Sequence, residues 1–320
     1  MFLFPLFLNA QSYSFSQFFS SPLTLNPALN GTAITRLRFS GNFRNQWVNG
    51  GTPYLTGTLG VESKILTSEI PEYHNWGIGL NVLSDQSNGG GLVYTTTSLG
   101  TAYHLSLNPE GTSTLGIGFQ GSWNQRAINL NRLNFESQFS SGGFSNSLPI
   151  GETFDNLSKS YFDIHSGILY QFLNEDFQFS LGASCFNIVE PKTNSSSSEY
   201  RLPRRYVLHS AFNANLGADF GMICSFTSMT ISGLNTSTLG LALRKHIEKL
   251  SMIGGCWYRL SDSIIPYVGI ESNGLSLGLS FDNTISSLKT TSLTRNAFEL
   301  GIIYTPMSEY NRFKKAIPWY

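Results

Sequence analysis

Period-two alternation is the dominant pattern of the chain. In GLSLGLSFD (274–282), Leu275, Leu277, Leu279 and Phe281 alternate with Gly274, Ser276, Gly278 and Ser280. In TLGIGFQGSWNQ (114–125), Leu115, Ile117, Phe119 and Trp123 share one parity, while Gly116, Gly118, Gln120, Ser122 and Asn124 share the other. NWGIGLNV (75–82) and FQFSLGASCF (177–186) repeat the design. Successive side chains of a strand point to opposite faces, so each run describes a ribbon with one apolar face and one small or polar face. No long segment carries the 3.6-residue period of a helix.

One strand per run gives about fourteen. They fall near 33–47, 53–65, 73–85, 92–108, 112–127, 160–172, 176–188, 203–215, 219–232, 237–248, 250–260, 264–272, 274–283 and 296–305. Many reach the ~9–11 residues that a tilted strand needs to cross a bilayer, beyond the ~5–6 typical of soluble sheets. The expected fold is all-β: an antiparallel transmembrane β-barrel of about 14 strands, an even number as bacterial outer-membrane barrels require.

The connections support this. With a periplasmic N-terminus, the Ser-, Asn- and Gly-rich linkers 128–159, 189–202 and 284–295 all face outward, and LNPEGTS (107–113), LNED (173–176) and SNG (272–274) all face inward. Two connections break the sorting: 65–73 is long for a periplasmic turn and 261–263 is short for an outer loop. A soluble β-sandwich, the competing architecture, has no reason to sort its loops.

Composition sharpens the picture. Charged residues make up 12% of the chain, against about 25% in a soluble domain. No run approaches the ~20 apolar residues of a membrane helix, so the lipid contact must be carried by strands, with outer-membrane lipid as surroundings. The net charge of +0 argues against nucleic acid as a partner. The small and polar parity suits a wet or polar lumen. Closure brings the first strand beside the last. Arg36, Arg38, Arg44 and Gln46 share the polar parity of the first, and Glu299 lies on that of the last. An ion pair between Arg44 and Glu299 inside the barrel is therefore expected, the alternative being separate solvation in the lumen.

Candidate chemistry is thin. His74, His104, His165, His209 and His246 are scattered, without metal-ligand spacing, and are read as interfacial or lumen residues. Cys185, Cys224 and Cys256 are odd in number and widely spaced, which fits neither a disulfide framework nor a zinc site. GIGFQG (116–121) matches a dinucleotide fingerprint by letters but lies inside a strand, with no helix to follow. Ser286-Ser287-Leu288-Lys289 matches a serine–lysine pattern but sits in a polar loop without a partner motif. No enzyme, cofactor or metal is expected. Trp47, Trp76, Trp123, Tyr258, Tyr267 and Tyr304 lie near strand ends and are read as aromatic belts.

The organisation along the chain follows. MFLFPLFLNA (1–10) reads as the end of a secretory signal, with Ala10 before a mature start at Gln11. It has no basic n-region and a large Leu8; a start codon assigned too far downstream would account for the former. Residues 11–32 are expected to be a periplasmic segment, 33–305 the barrel and 306–320 a basic-aromatic tail. Within the segment, LTLNPALNGT (23–32) holds two turn signals, Asn26-Pro27 and Asn30-Gly31. It is expected to form a hinge at the periplasmic mouth.

SFSQFFSSPLTLNPALNGT (14–32), NFRNQW (42–47) and NWGIGLNVLSDQSNGG (75–90) occur in an order that resembles the PorP/SprF family of Bacteroidetes outer-membrane proteins. YHLSL (103–107), LGIGFQGSW (115–123), SFDNTISSL (280–288) and FELGIIY (298–304) extend the resemblance over nearly the whole chain. It marks Asn26, Pro27, Ala28 and Gly31, and Arg44, Asn45, Gln46 and Trp47, as family-motif residues with structural roles. Asn30 stands where the family usually has a second alanine. The resemblance implies type IX secretion: association with secretion components, or pairing with one large secreted adhesin that carries a type IX C-terminal signal. The adhesin role is favoured, with 128–159 and 189–202 as candidate binding loops. The rival is a FadL-like channel or passive porin. FadL-type channels also carry an Asn-Pro-Ala box, but need a longer N-terminal plug and an apolar ligand pocket.

Overall fold

A computed structural model describes residues 14–33, 35–46, 53–66, 68–151, 157–192, 201–285 and 296–306. The alternating runs form the strands β1 (Leu37–Gln46), β2 (Tyr54–Ile65), β3 (Asn75–Ser87), β4 (Leu92–Ser106), β5 (Ser113–Ile128), β8 (Ser158–Leu173), β9 (Phe177–Phe186), β10 (Arg205–Leu216), β11 (Phe220–Ile231), β12 (Leu234–Ile247), β13 (Leu250–Arg259), β14 (Ser263–Ser272), β15 (Leu275–Thr284) and β16 (Ala297–Tyr304). These fourteen strands close into one antiparallel barrel, each paired with its neighbours in sequence and β1 paired with β16. The two remaining strands, β6 (Phe139–Ser140) and β7 (Gly143–Phe144), form a small hairpin in the long β5–β8 connection. Two-residue strands are too short for alternation to reveal.

The apolar parity faces out. Leu59, Leu99, Phe119 and Val268 are exposed, while Thr58, Ser98, Gln120 and Tyr267 on neighbouring positions are buried. Closure leaves no free strand edge, the condition that hydrocarbon imposes on a sheet. The β14–β15 register skips Ile265 and Pro266, because proline has no N–H to donate.

The two ends of the barrel differ. The connections 129–157, 187–204 and 285–296 share one end with shorter ones at 88–91, 232–233 and 260–262. The opposite end has the turns 107–112, 174–176, 217–219, 248–249 and 273–274, with 66–74 the longest. Asn273 and Gly274 both take positive φ (49° and 78°), the requirement of a two-residue hairpin turn that matches strand twist. Outer-membrane barrels carry short periplasmic turns and long outer loops, so the long-loop end is the outer one.

Residues 11–32 depart most from expectation. The described part, from Ser14 onward, is neither periplasmic nor a hinge at the mouth; it fills the lumen. Phe18, Phe19, Leu25, Ala28 and Leu29 pack with wall residues Leu169, Phe186, Val207, Ile223 and Trp257 in one buried cluster. The segment has a turn at Phe18–Ser20, a four-residue α1 (Pro22–Leu25) and a turn at Pro27–Leu29. Its apolar side chains and turn-bonded backbone make it a compact body rather than a linker. The lumen, expected to be wet or polar, is thus polar-walled but largely occupied. Tyr267 changes role with it: instead of joining an aromatic belt it points inward, its ring 5.6 Å from Phe19 and 4.9 Å from Trp257. Arg36 precedes β1 and is exposed. Trp47, residues 1–13 and most of the tail (307–320) lie outside the described residues, as does the serine–lysine pattern at 286–289.

Candidate functional site: the plugged lumen and its outer mouth

The turn that holds the plug is built by Asn26, Pro27 and Gly31. Proline disfavours helical backbone at the residue before it, and Asn26 is extended (φ −156°). Its side-chain oxygen then accepts from the Ala28 N–H at 2.8 Å, capping the turn. Its amide nitrogen donates to the Ile168 carbonyl and to Nε2 of His209, both at 3.0 Å. Asn30 donates to the Pro27 carbonyl at 2.8 Å, and its own carbonyl accepts from Nε2 of His104 at 3.0 Å. Gly31 takes φ 76° against Gly77, and its carbonyl accepts from Asn75. The Asn-Pro-Ala box is therefore a docking element that reads strands β3, β4, β8 and β10 from inside.

The wall is shaped to receive it. A Cβ on Gly79 would overlap Oδ1 of Asn30, one on Gly118 would overlap the Pro27–Ala28 peptide, and one on Gly167 would overlap Oδ1 of Asn26. These glycines sit on the lumen-facing parity of β3, β5 and β8, which is why GIGFQG matches a nucleotide motif by letters alone. Gly118 exists for backbone approach, but the backbone is the protein's own.

At the outer mouth the plug ends in an ionic cluster. β1 and β16 place Arg44 opposite Glu299, with Nη1 3.5 Å from Oε2. Asp282 of β15 is closer, 2.8 Å from Arg44 and 3.0 Å from Arg259 of β13. Arg259 also reaches Asp262, in the β13–β14 connection, at 3.1 Å. Ser16 ties the plug to Arg44, Arg259, Asp282 and Glu299. Its hydroxyl accepts from Arg44 and from Arg259, each at 2.6 Å, and donates to Asp282 at 2.8 Å. The backbone N–H groups of Ser16 and Gln17 donate to Glu299 at 2.8 and 3.0 Å. Glu299 is completely buried, and charge-assisted bonds of this kind offset the cost of burying it. Gln46, with its side-chain oxygen turned inward, accepts from Arg44 at 3.0 Å; Asn45 lies on the other parity, opposite Phe298. A second pair, Arg38 with Glu62 at 2.9 Å, lies at the opposite mouth.

Sequence reasoning put Arg44 and Glu299 together through closure alone. Asp282 and Arg259 escaped it because β13 does not neighbour β1: the lumen, not the sheet, joins them. The readable signal was their inward parity near outer strand ends. The plug was missed although the lumen-facing glycines of consecutive strands announced a close backbone approach. Among the histidines, His104, His165 and His209 are buried in the lumen. Among the described residues no three His, Cys, Asp or Glu side chains gather as a metal site.

Three cavities between plug and wall are small, about 10, 20 and 50 Å³. Each has room for between one and a few waters, whereas ligand pockets run to ~300–1,000 Å³.

Comparison with known proteins agrees with this architecture. The family described as "Type IX secretion system membrane protein PorP/SprF" matches residues 7–304. Curated proteins give no match. Among solved structures, the CymD monoaromatic hydrocarbon channel is similar at TM-score 0.53 and 10% identity, covering 92% of this chain and 94% of that one. The Pseudomonas putida toluene transporter TodX (0.47, 9%, 92% and 93%) and a Pseudomonas aeruginosa FadL homologue (0.46, 11%, 87% and 92%) are more distant. At these identities the likeness is one of fold.

Proposed function

This chain belongs to the PorP/SprF family of type IX secretion system membrane proteins, and from that premise we propose that it is a recognition barrel rather than a conduit. It is an outer-membrane β-barrel of the secretion system. On this reading it binds a large secreted adhesin carrying a type IX C-terminal signal, and delivers it to or holds it at the cell surface. The outer loops 129–157 and 187–204 and the rim around them form the contact, and no reaction is involved.

The observation that carries this reading is the occupied lumen. The plug is anchored at the outer mouth, where Ser16 meets the ionic cluster, and deeper in the lumen, where the wall holds Asn26–Gly31, and three cavities beside it are of water size. Such a body is a rigid platform, and long loops on a rigid scaffold commonly carry function.

The channel reading keeps one support: the plug and the likeness to a hydrocarbon channel remove the objection that the N-terminal segment is too short to be one. Against it, three cavities between plug and wall, among the described residues, are too small for such a ligand.

A tagged barrel pulled down from outer membranes should recover a secreted protein with a type IX C-terminal signal, and removal of residues 187–204 should lose it. Recovery of neither a secreted protein nor a secretion component would overturn the proposal.

A further inference from the structure

The outward parity of the fourteen barrel strands carries a single Asp, Glu, Lys or Arg among the described residues, Lys245 on β12. Every other ionisable residue of those four types on the strands points into the lumen. A lysine on the lipid face costs ~2–4 kcal/mol at the midplane of a bilayer and ~0–1 kcal/mol near its interfaces. Lys245 stands two positions before the end of β12 at Ile247, by the turn 248–249 of the short-turn end. It is exposed, and its ammonium lies 5.8 Å from the centre of the Phe220 ring.

Beside it the barrel wall is indented. An apolar concavity of about 650 Å³ opens across β11 to β16, lined by Leu243, Met252, Val268, Ile270, Leu277 and Leu279 among others and by Lys245. Its floor is Gly254, an outward position where an added Cβ would meet nothing within 4 Å. The missing side chain, in a row of large ones, makes the dent.

We propose that this concavity is a binding site for one phospholipid of the periplasmic leaflet, its acyl chain lying along Gly254 and its anionic phosphate meeting the Lys245 ammonium. The lining is apolar and faces the membrane, so hydrocarbon is the fill that the surroundings supply. Charge selects the head group. The outward strand faces of a second copy would bring no anion to Lys245, since the described strands carry no Asp or Glu there; a lipid phosphate does.

The test is native mass spectrometry of the purified barrel in detergent micelles containing palmitoyl-oleoyl phosphatidylglycerol or phosphatidylcholine. A heat-shift gel establishes that each variant is folded. The unsubstituted barrel is expected to retain one phosphatidylglycerol after activation. Gly254→Leu, which fills the dent into open space, should lose it. Lys245→Met should hold phosphatidylglycerol about fivefold less tightly, the factor for one near-surface cation, and should no longer prefer it to phosphatidylcholine. Gly57→Leu, an outward glycine of β2 whose added Cβ would have only Phe43 at 4.0 Å, should retain lipid as before. Equal retention in all four proteins would overturn the site. So would a dimer, or a complex with another protein, that Gly254→Leu abolishes.

Discussion

Arg44 shows how much one lumen residue supports. Its guanidinium meets Asp282, Glu299 and the Ser16 hydroxyl, all buried. Breaking such a cluster by removing one partner costs about 3–5 kcal/mol, because it leaves charge buried without compensation. Arg44→Met is therefore expected to lower the urea stability of the folded barrel by about that much. It should also expose the Ser16–Gln17 amides to hydrogen exchange, with Arg44→Lys intermediate. An unchanged unfolding midpoint together with unchanged exchange would show that the cluster holds nothing. The opposition of Arg44 and Glu299 could be read from two parities and the rule that a barrel closes. The dominance of Asp282 could not, since the distance between β15 and β1 side chains across the lumen has no counterpart in sequence spacing.

At the scale of elements, the plug and the glycine-lined wall are two halves of one device. The wall glycines admit Asn26, Pro27 and Asn30 to contact distances that any side chain would forbid. Gly167→Leu is expected to evict the Asn26 turn while leaving the strand ladder intact, since the substituted side chain points into the lumen. In planar bilayers the unsubstituted barrel should show little steady conductance. Gly167→Leu and a deletion of residues 14–32 should both show open-channel steps, and in the former the N-terminal segment should become protease-sensitive. Silence from both variants would mean that the plug does not close the barrel. The strands themselves were legible because alternation on a half-buried ribbon is local. The plug was not, because SFSQFFSSPLTL has no period and its partners are spread around the barrel from β1 to β16.

For the whole molecule, the membrane governs which face each residue serves. Cys224 and Cys256 are free thiols on the outward parity of β11 and β13. In intact outer membranes they should react with an apolar maleimide that partitions into lipid and resist a sulfonate-bearing one until detergent is added. Ready labelling by the charged reagent would place this face in water. The same outward parity holds Lys245 and its groove, so the lipid surface is not uniform: one flank of the barrel is indented and charged, and the other outward strand positions among the described residues carry no Asp, Glu, Lys or Arg.

By itself the sequence determined the barrel strands, their number, the alternation of faces along them, the loop lengths and the family motifs. All of these follow from period-two alternation, turn chemistry and residue order, which act between near neighbours along the chain. Only the tertiary structure decided that the Asn-Pro-Ala turn sits inside the barrel rather than at its mouth. It also decided that Ser16 joins charges from four strands, that Tyr267 turns from belt to core, and that one flank of the outer wall is dented. Each of these depends on curvature and closure, which bring distant strands to a shared interior and leave gaps where small side chains meet. Those distances are properties of a closed surface, and no stretch of the chain contains them.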